Sequence, residues 1–312
     1  MGIGSLDNSL WISCWQHVSF HRTFVSSDKK TACEKKCECE SEMIKALPTV
    51  KFCQECVYPS SSAVPLEFDE NGVCSGCNTA KERYEIDWGR RRETLKQILD
   101  EYKNPDGYDC IIPVSGGKDS YFQTHLIKNE FGMNPLLVTY NSNNYTEVGI
   151  RNLHRMREAF GVDHIFYTPS IHTVIKLNRL CFKLMGDMNW HGHAGIFTYP
   201  IREAVAKKTP LMIWGEHGFA DLGGMHSYSD FVEFTFRYRH EHCLRGYEWY
   251  DMTDKALIEA GHHGLCEGLK NHELVTWKYP SDVEIEELGV RGIYISNFIK
   301  WEASSHSEMM IN

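Results

Sequence analysis

The residues best placed to do chemistry form one run: Ser115-Gly116-Gly117-Lys118-Asp119-Ser120. The apolar stretch Tyr108-Asp109-Cys110-Ile111-Ile112-Pro113-Val114 precedes it, and a segment of helical pattern follows over 121–131. A buried strand that turns through glycines into a helix start makes an anion pocket. The first N–H groups of a helix lack internal partners and point outward, and the helix dipole adds positive potential there. Glycines let the backbone approach a phosphate closely. Lys118 adds a point charge, the Ser115 and Ser120 hydroxyls can donate, and Val114 stands at the strand end of the same pocket. Asp119 would be repelled by bare phosphate, so its place in the run implies a Mg2+ ion between the two. The run is not a Walker loop, which sets four residues between its first glycine and the Gly-Lys pair.

A second group is metal-ligating in type and spacing. Cys53-Gln54-Glu55-Cys56 and Cys74-Ser75-Gly76-Cys77 give two C-x2-C pairs seventeen residues apart. That spacing fits four thiolates on Zn2+, and Gly72 and Gly76 supply the freedom that tight turns need. Four sulfurs fill a tetrahedral shell and leave no position for substrate, so the ion is read as structural. An iron–sulfur cluster or unpaired core cysteines are the alternatives.

The elements that must hold these groups follow from hydrophobic rhythm. Strands are expected over 108–114, 135–140, 164–168 and 211–214, and helices between them over 121–131, 146–160, 171–188 and 197–207. Alternation of this kind means an α/β fold, a doubly wound and mostly parallel sheet with helices on both faces. Upstream, 88–102 reads as an amphipathic helix with Leu95, Ile98, Leu99 and Tyr102 on one face. Late in the chain 282–288 reads as helix and 292–296 as a further strand. The tail 301–312 ends without an obvious stop signal.

In such sheets ligands bind at the carboxyl ends of strands, where strand order switches. The glycine run ends the first strand. Thr139, Tyr140 and Asn141 end the second and would border a nucleotide. Gly215 and Glu216 end the fourth, in the glycine-dense loop that also carries His217 and Asp221. Glu216 and Asp221 could orient an acceptor or assist proton removal from an attacking amine. The bland alternative for Asp221 is a local backbone cap. Trp190-His191-Gly192-His193-Ala194-Gly195 reads as a loop whose two histidines lack a third ligand of matching spacing.

The chain has 312 residues and 42% hydrophobic content, ample for a folded core. Its net charge of −9 gives no global case for binding nucleic acid. No apolar stretch spans a bilayer and no signal-peptide layout opens the chain, so a cytoplasmic location is expected, where paired cysteines bind metal sooner than form disulfides. The expected organisation is an extension with little order over 1–50, a zinc knuckle over 51–87 and a nucleotide domain over 88–312. The extension carries Trp11, Trp15, Phe20, Phe24, Cys33, Cys37 and Cys39.

The hexapeptide resembles the PP-loop of the ATP pyrophosphatase superfamily, whose members cleave ATP between the α- and β-phosphates. Together with Cys56-Val57-Tyr58-Pro59, Gly72-Val73-Cys74-Ser75-Gly76-Cys77 and Gly289-Val290-Arg291-Gly292-Ile293-Tyr294, it resembles the N-acetyl sugar amidotransferases of bacterial lipopolysaccharide and nonulosonic-acid pathways. The likeness runs from about residue 51 to about 301. It implies an adenine nucleotide alpha-hydrolase-like fold. It also implies ATP and Mg2+ as catalytic partners, structural Zn2+, an N-acetyl sugar substrate, and ammonia from separate glutaminase and cyclase-like proteins. In that reaction the acetamido carbonyl is adenylated, pyrophosphate leaves, and ammonia displaces AMP to give an acetamidine. Members begin near the knuckle and run past residue 312. Two other readings compete: a PP-loop tRNA sulfurtransferase, for which Cys110 and Cys181 are the nearest candidate thiols, and a non-enzymatic zinc-ribbon interaction module.

Overall fold

The structure is a computed structural model that describes residues 49–62 and 66–311. The tryptophans, phenylalanines and cysteines singled out between residues 11 and 39 lie outside the described residues, as do 63–65 between the cysteine pairs. The unit 52–312 holds both the cysteine pairs and the sheet.

That unit runs through α1 (Ser75–Glu82), α2 (Trp88–Glu101), β1 (Cys110–Pro113), α3 (Lys118–His125), β2 (Pro135–Tyr140) and α4 (Glu147–Phe160). It continues with β3 (His164–Tyr167), α5 (Ile171–Met185), α6 (Trp190–Lys207), β4 (Leu211–Trp214) and α7 (Gly218–Gly223). A stretch of short turns contains α8 (Phe236–Tyr238) and α9 (Asp254–Glu259), and α10 (Asp282–Leu288), β5 (Arg291–Tyr294) and α11 (Ala303–Ile311) complete it. Among the described residues no helix is long and apolar enough to cross a membrane.

The five strands lie in the order β3-β2-β1-β4-β5, and every pairing is parallel. Sheets of this kind are covered on both faces, which is why the strands read as unbroken apolar runs. Successive residues alternate sides. Ile112, Leu137, Ile213 and Ile293 pack with Leu95 and Leu99 of α2 and Leu153 of α4. Ile111, Leu136, Val138 and Met212 pack instead with Ile201 and Ala204 of α6. The sheet is therefore doubly wound, as the rhythm predicts. From β1 the chain moves outward to β2 and β3, then crosses back to lay β4 on the other side. The crevice between the carboxyl ends of β1 and β4 is the switch point.

Local chemistry sets the helix ends. Thr146 caps α4 by accepting from Gly149 N–H at 3.1 Å, and Gly161 closes it in the left-handed region. A capping box between Ser281 and Glu284 opens α10, and Gly289 closes it.

One expectation needs correction. Residues 190–195 are not a loop: α6 begins at Trp190, seven residues before the expected start. Gly192 and Gly195 argue against helix by propensity, but burial of Trp190 and Ala194 in the core outweighs that cost. Gly195 is there for space, since a Cβ on it would stand 2.3 Å from the Tyr140 ring. The tail carries the helix α11, which packs on α3 through His306.

Candidate active site

The phosphate-loop candidate lies at the carboxyl end of β1, at the switch point. Gly117 stands at the N-cap of α3 and no side chain caps that end. The first-turn N–H groups are therefore left for a ligand. Gly116 adopts φ +77°, and a Cβ on it would stand 2.8 Å from Leu153 Cα of α4. Only glycine allows both the turn and that close approach. Gln123 Nε2 donates to the Ile213 carbonyl at 2.6 Å, tying α3 to β4 across the crevice.

The serines serve the loop itself. Ser115 N–H donates to Ser120 Oγ at 2.9 Å, and the two hydroxyl oxygens are 3.3 Å apart. Ser120 thus braces the turn from within. Lys118 Nζ lies 2.8 and 2.7 Å from the two Asp119 oxygens. Asp119 Oδ1 is also 2.8 Å from His306 Nδ1. Burial pushes the Asp119 carboxyl up, but the bonds from Lys118 and His306 outweigh it and hold the carboxyl below its ordinary value.

A cavity of about 540 Å³ opens at this edge, and Val114, Ser115, Ser120, Tyr140, Gly215 and Glu216 line it. Gly116, Gly117, Lys118, Asp119, Thr139 and Asn141 are not among its lining residues. Thr139 is buried in the sheet, where its hydroxyl donates to the Val114 carbonyl at 2.7 Å and so sets the end of β1. Asn141 donates from its side chain to Thr168 Oγ1. Tyr140 lines the cavity, its hydroxyl lies 3.2 Å from His191 Nδ1, and burial pushes its phenol well up.

Gly215 is held by Ser296 N–H, which donates to its carbonyl at 3.1 Å. Glu216 is exposed at the cavity edge. His217 is buried and outside the cavity lining, and its Nδ1 accepts from Ala220 N–H at 3.0 Å. Burial, with His226 and His242 nearby, lowers its imidazole to about 4, so it caps α7 as a neutral ring. Asp221 lies on α7, and its side chain is outside the described part of the structure. His191 and His193, two apart on α6, diverge: His191 turns to Tyr140, and His193 Nδ1 faces Asp187 Oδ2 at 3.5 Å. Arg245 Nε reaches the same Asp187 oxygen at 3.5 Å. Asp187, His193 and Arg245 line the cavity together with Phe197, Trp214 and Tyr294. The wall has an aromatic part and a charged part.

Sequence reading missed His306 and Cys243. Cys243 lines the cavity, with its thiol pushed up to about 12 by burial. Neither sits in a local pattern that would mark it.

Among the described residues one cluster has metal-ligating geometry: Cys53, Cys56, Cys74 and Cys77. The Cys53–Cys77 and Cys56–Cys74 sulfurs are 3.9 and 3.7 Å apart. Four sulfurs at the usual Zn–S bond length stand about 3.8 Å from one another in a tetrahedron, so the set fits Zn2+. Backbone N–H groups, that of Cys56 foremost, draw the Cys53 thiol down to about 6 against the effect of burial. The knuckle abuts the loop after β4. Ser75 Oγ donates to the Gly223 carbonyl at 2.8 Å, and a Cβ on Gly224 would stand 2.3 Å from the Ser75 carbonyl oxygen. Ser227 Oγ and Tyr228 N–H both donate to Glu82 Oε2 of α1.

No protein-family model matches the chain. Over 147 residues it is 29% identical to an uncharacterized protein of Methanocaldococcus jannaschii, a stretch covering 44% of this chain and 53% of that one. The chain thus spans about half the length of the curated relative it matches. Among solved structures it is similar to an NH3-dependent NAD synthetase from Campylobacter jejuni. There the identity is 12% and the TM-score 0.34, over 65% of this chain and 96% of that one. It is also similar to an NMN synthetase from Francisella tularensis, with 14% identity and a TM-score of 0.35 over 65% and 92% of the two chains.

Proposed function

We propose that this protein is an ATP-dependent, AMP-forming amidotransferase that converts the acetamido group of an N-acetyl sugar into an acetamidine. The observation that carries the reading is the placement of the glycine run. An uncapped helix start and a left-handed glycine stand at the carboxyl edge of the central strand, where strand order switches and a cavity opens. That arrangement suits a triphosphate.

The N–H groups of the α3 first turn and Lys118 hold the phosphates, with Lys118 turning from Asp119 to do so. Asp119 would hold Mg2+, which when bound neutralises charge gathering on pyrophosphate. The acetamido carbonyl oxygen attacks the α-phosphorus, and the bond from that phosphorus to the bridging oxygen of pyrophosphate breaks. Adenylation is needed because an amide carbonyl is a poor electrophile. Ammonia then adds to the activated carbon, a proton passes from nitrogen to Glu216, and AMP departs with the former carbonyl oxygen. Asp221, on α7 five residues after Glu216, is assigned the orientation of the acceptor. The cavity's aromatic and charged wall takes the sugar. Separate glutaminase and cyclase-like proteins supply the ammonia.

Mass spectrometry of N-acetyl sugars, both unlinked and nucleotide-linked, incubated with ATP, Mg2+ and ammonium tests this directly. Replacement of oxygen by NH, matched by pyrophosphate release, is expected. Pyrophosphate release without that replacement would remove the sugar from the proposal, and absence of both would remove the reaction.

One observation favours a second reading, sulfur transfer to an adenylated tRNA base: Cys243 lines the cavity. Its raised thiol makes it a poor nucleophile, and Cys110 and Cys181 are buried in the core with thiols also pushed up. A Cys243→Ser variant with unchanged turnover separates the two.

A further inference from the structure

His306 reaches the phosphate loop from a helix far along the sequence. Its Nδ1 lies 2.8 Å from Asp119 Oδ1, and its side chain is wholly buried. The ring stacks on Phe122 of α3 with centroids 3.8 Å apart and planes 17° from parallel, and Trp301 meets it edge-on at 4.6 Å. Burial between two aromatic rings fixes its orientation. Its other nitrogen, Nε2, is buried with no hydrogen-bond partner among the described residues. An unpaired buried polar atom is unfavourable, so the bond to Asp119 is the ring's one polar return for that position. Because Nδ1 faces a carboxylate, the network assigns it the proton, and it donates.

The two Asp119 oxygens are not equivalent. Oδ1 accepts from both His306 and Lys118, whereas Oδ2 is bonded to Lys118 alone. We propose that His306 is a positioning residue for Asp119. It grips Oδ1 so that, once Lys118 moves to a phosphate, Oδ2 faces the divalent cation that accompanies the nucleotide. The assignment rests on the ATP-cleaving part of the reading above and is indifferent to the acceptor. Outer partners of this kind commonly change metal affinity by about 10–100-fold when removed.

Two variants of the full chain separate this role from packing. His306→Phe keeps a ring between Phe122 and Trp301 but loses the donor. His306→Asn loses the ring but keeps an amide N–H near the position of Nδ1. Calorimetric binding of a non-hydrolysable ATP analogue is measured across Mg2+ concentrations, with Tm alongside. The expected result is a half-saturating Mg2+ concentration raised about tenfold or more in His306→Phe at nearly unchanged Tm, and one near wild type in His306→Asn. A His306→Phe protein that matches wild type in Mg2+ dependence overturns the assignment while leaving nucleotide binding intact. A wild-type chain that binds no nucleotide at any Mg2+ concentration overturns both. Should His306→Phe fail to fold, histidine-selective 15N NMR of the wild type decides. A protonated Nδ1 signal that persists on adding Mg2+ and analogue supports the role, and its loss overturns it.

Discussion

At the scale of single residues the phosphate-loop candidate is a set of local constraints, which is why it is legible. Gly116, Gly117, Lys118 and Asp119 announce a turn, a close approach, a cation and a metal ligand within one stretch, and no distant contact is needed to guess their use. Among the described residues the Lys118 ammonium bonds its neighbour Asp119 and nothing in the core. Lys118→Ala should therefore leave the fold unchanged while slowing ATP cleavage by about 10²–10³, the usual cost of removing one donor to developing charge. Pyrophosphate release read beside circular dichroism checks both halves, and undiminished release would remove Lys118 from the chemistry. The hydroxyl of Ser120 was legible as a polar group but not as a brace, because its partner is a backbone N–H whose direction depends on the exact turn. His306 was not legible at all. It is 187 residues from Asp119, and nothing in its own neighbourhood of sequence marks it.

At the scale of elements, β2 and β4 fall where the apolar runs place them, 135–140 and 211–214, because buried parallel strands need continuous apolar sequence. The start of α6 was hidden because two glycines obscure a helix that burial stabilises. The cysteine quartet was legible as a spacing, and the fold brings the four sulfurs within 4.8 Å of one another. Cys53 is the most connected of them, since Glu55 and Cys74 N–H groups both donate to its sulfur. Cys53→Ser is expected to abolish stoichiometric zinc and to lower Tm by several degrees, because metal binding and local folding are coupled. Elemental analysis with thermal melts checks this. A wild-type protein without zinc would refute the metal, and a zinc-free variant melting like wild type would confine the ion to a minor role in stability. What spacing alone could not give is the contact of α1 with the segment 223–228, since Ser75 and Glu82 name no partner by type.

For the molecule as a whole, buried and half-buried histidines set the response to acid. His164, His191 and His217 are each lowered to about 4, in every case chiefly by burial. The unfolded chain binds protons on these rings near their ordinary value of 6.5, and the folded protein does so only near 4. Stability from these three groups is therefore intact above about pH 6.5, falls as pH drops through that window and stops falling below about 4. At about 1.4 kcal/mol for each tenfold loss of proton affinity, the three together amount to a loss on the order of 10 kcal/mol. Melting curves between about pH 7 and pH 4 should show a steep fall in Tm, and a flat profile across that range would mean the rings are solvated. The same compactness joins distant parts of the sequence at one edge of the sheet, and His306 beside Asp119 is the longest such join to the phosphate loop. On a ribosome, the chain that has just emitted its glycine run must wait for 187 further residues before that partner is made. At about 5–20 residues per second the delay is on the order of ten to forty seconds. A nascent chain thus carries the loop long before it carries the grip, and with the grip in its proposed role, the loop goes without its cation-orienting partner for that interval.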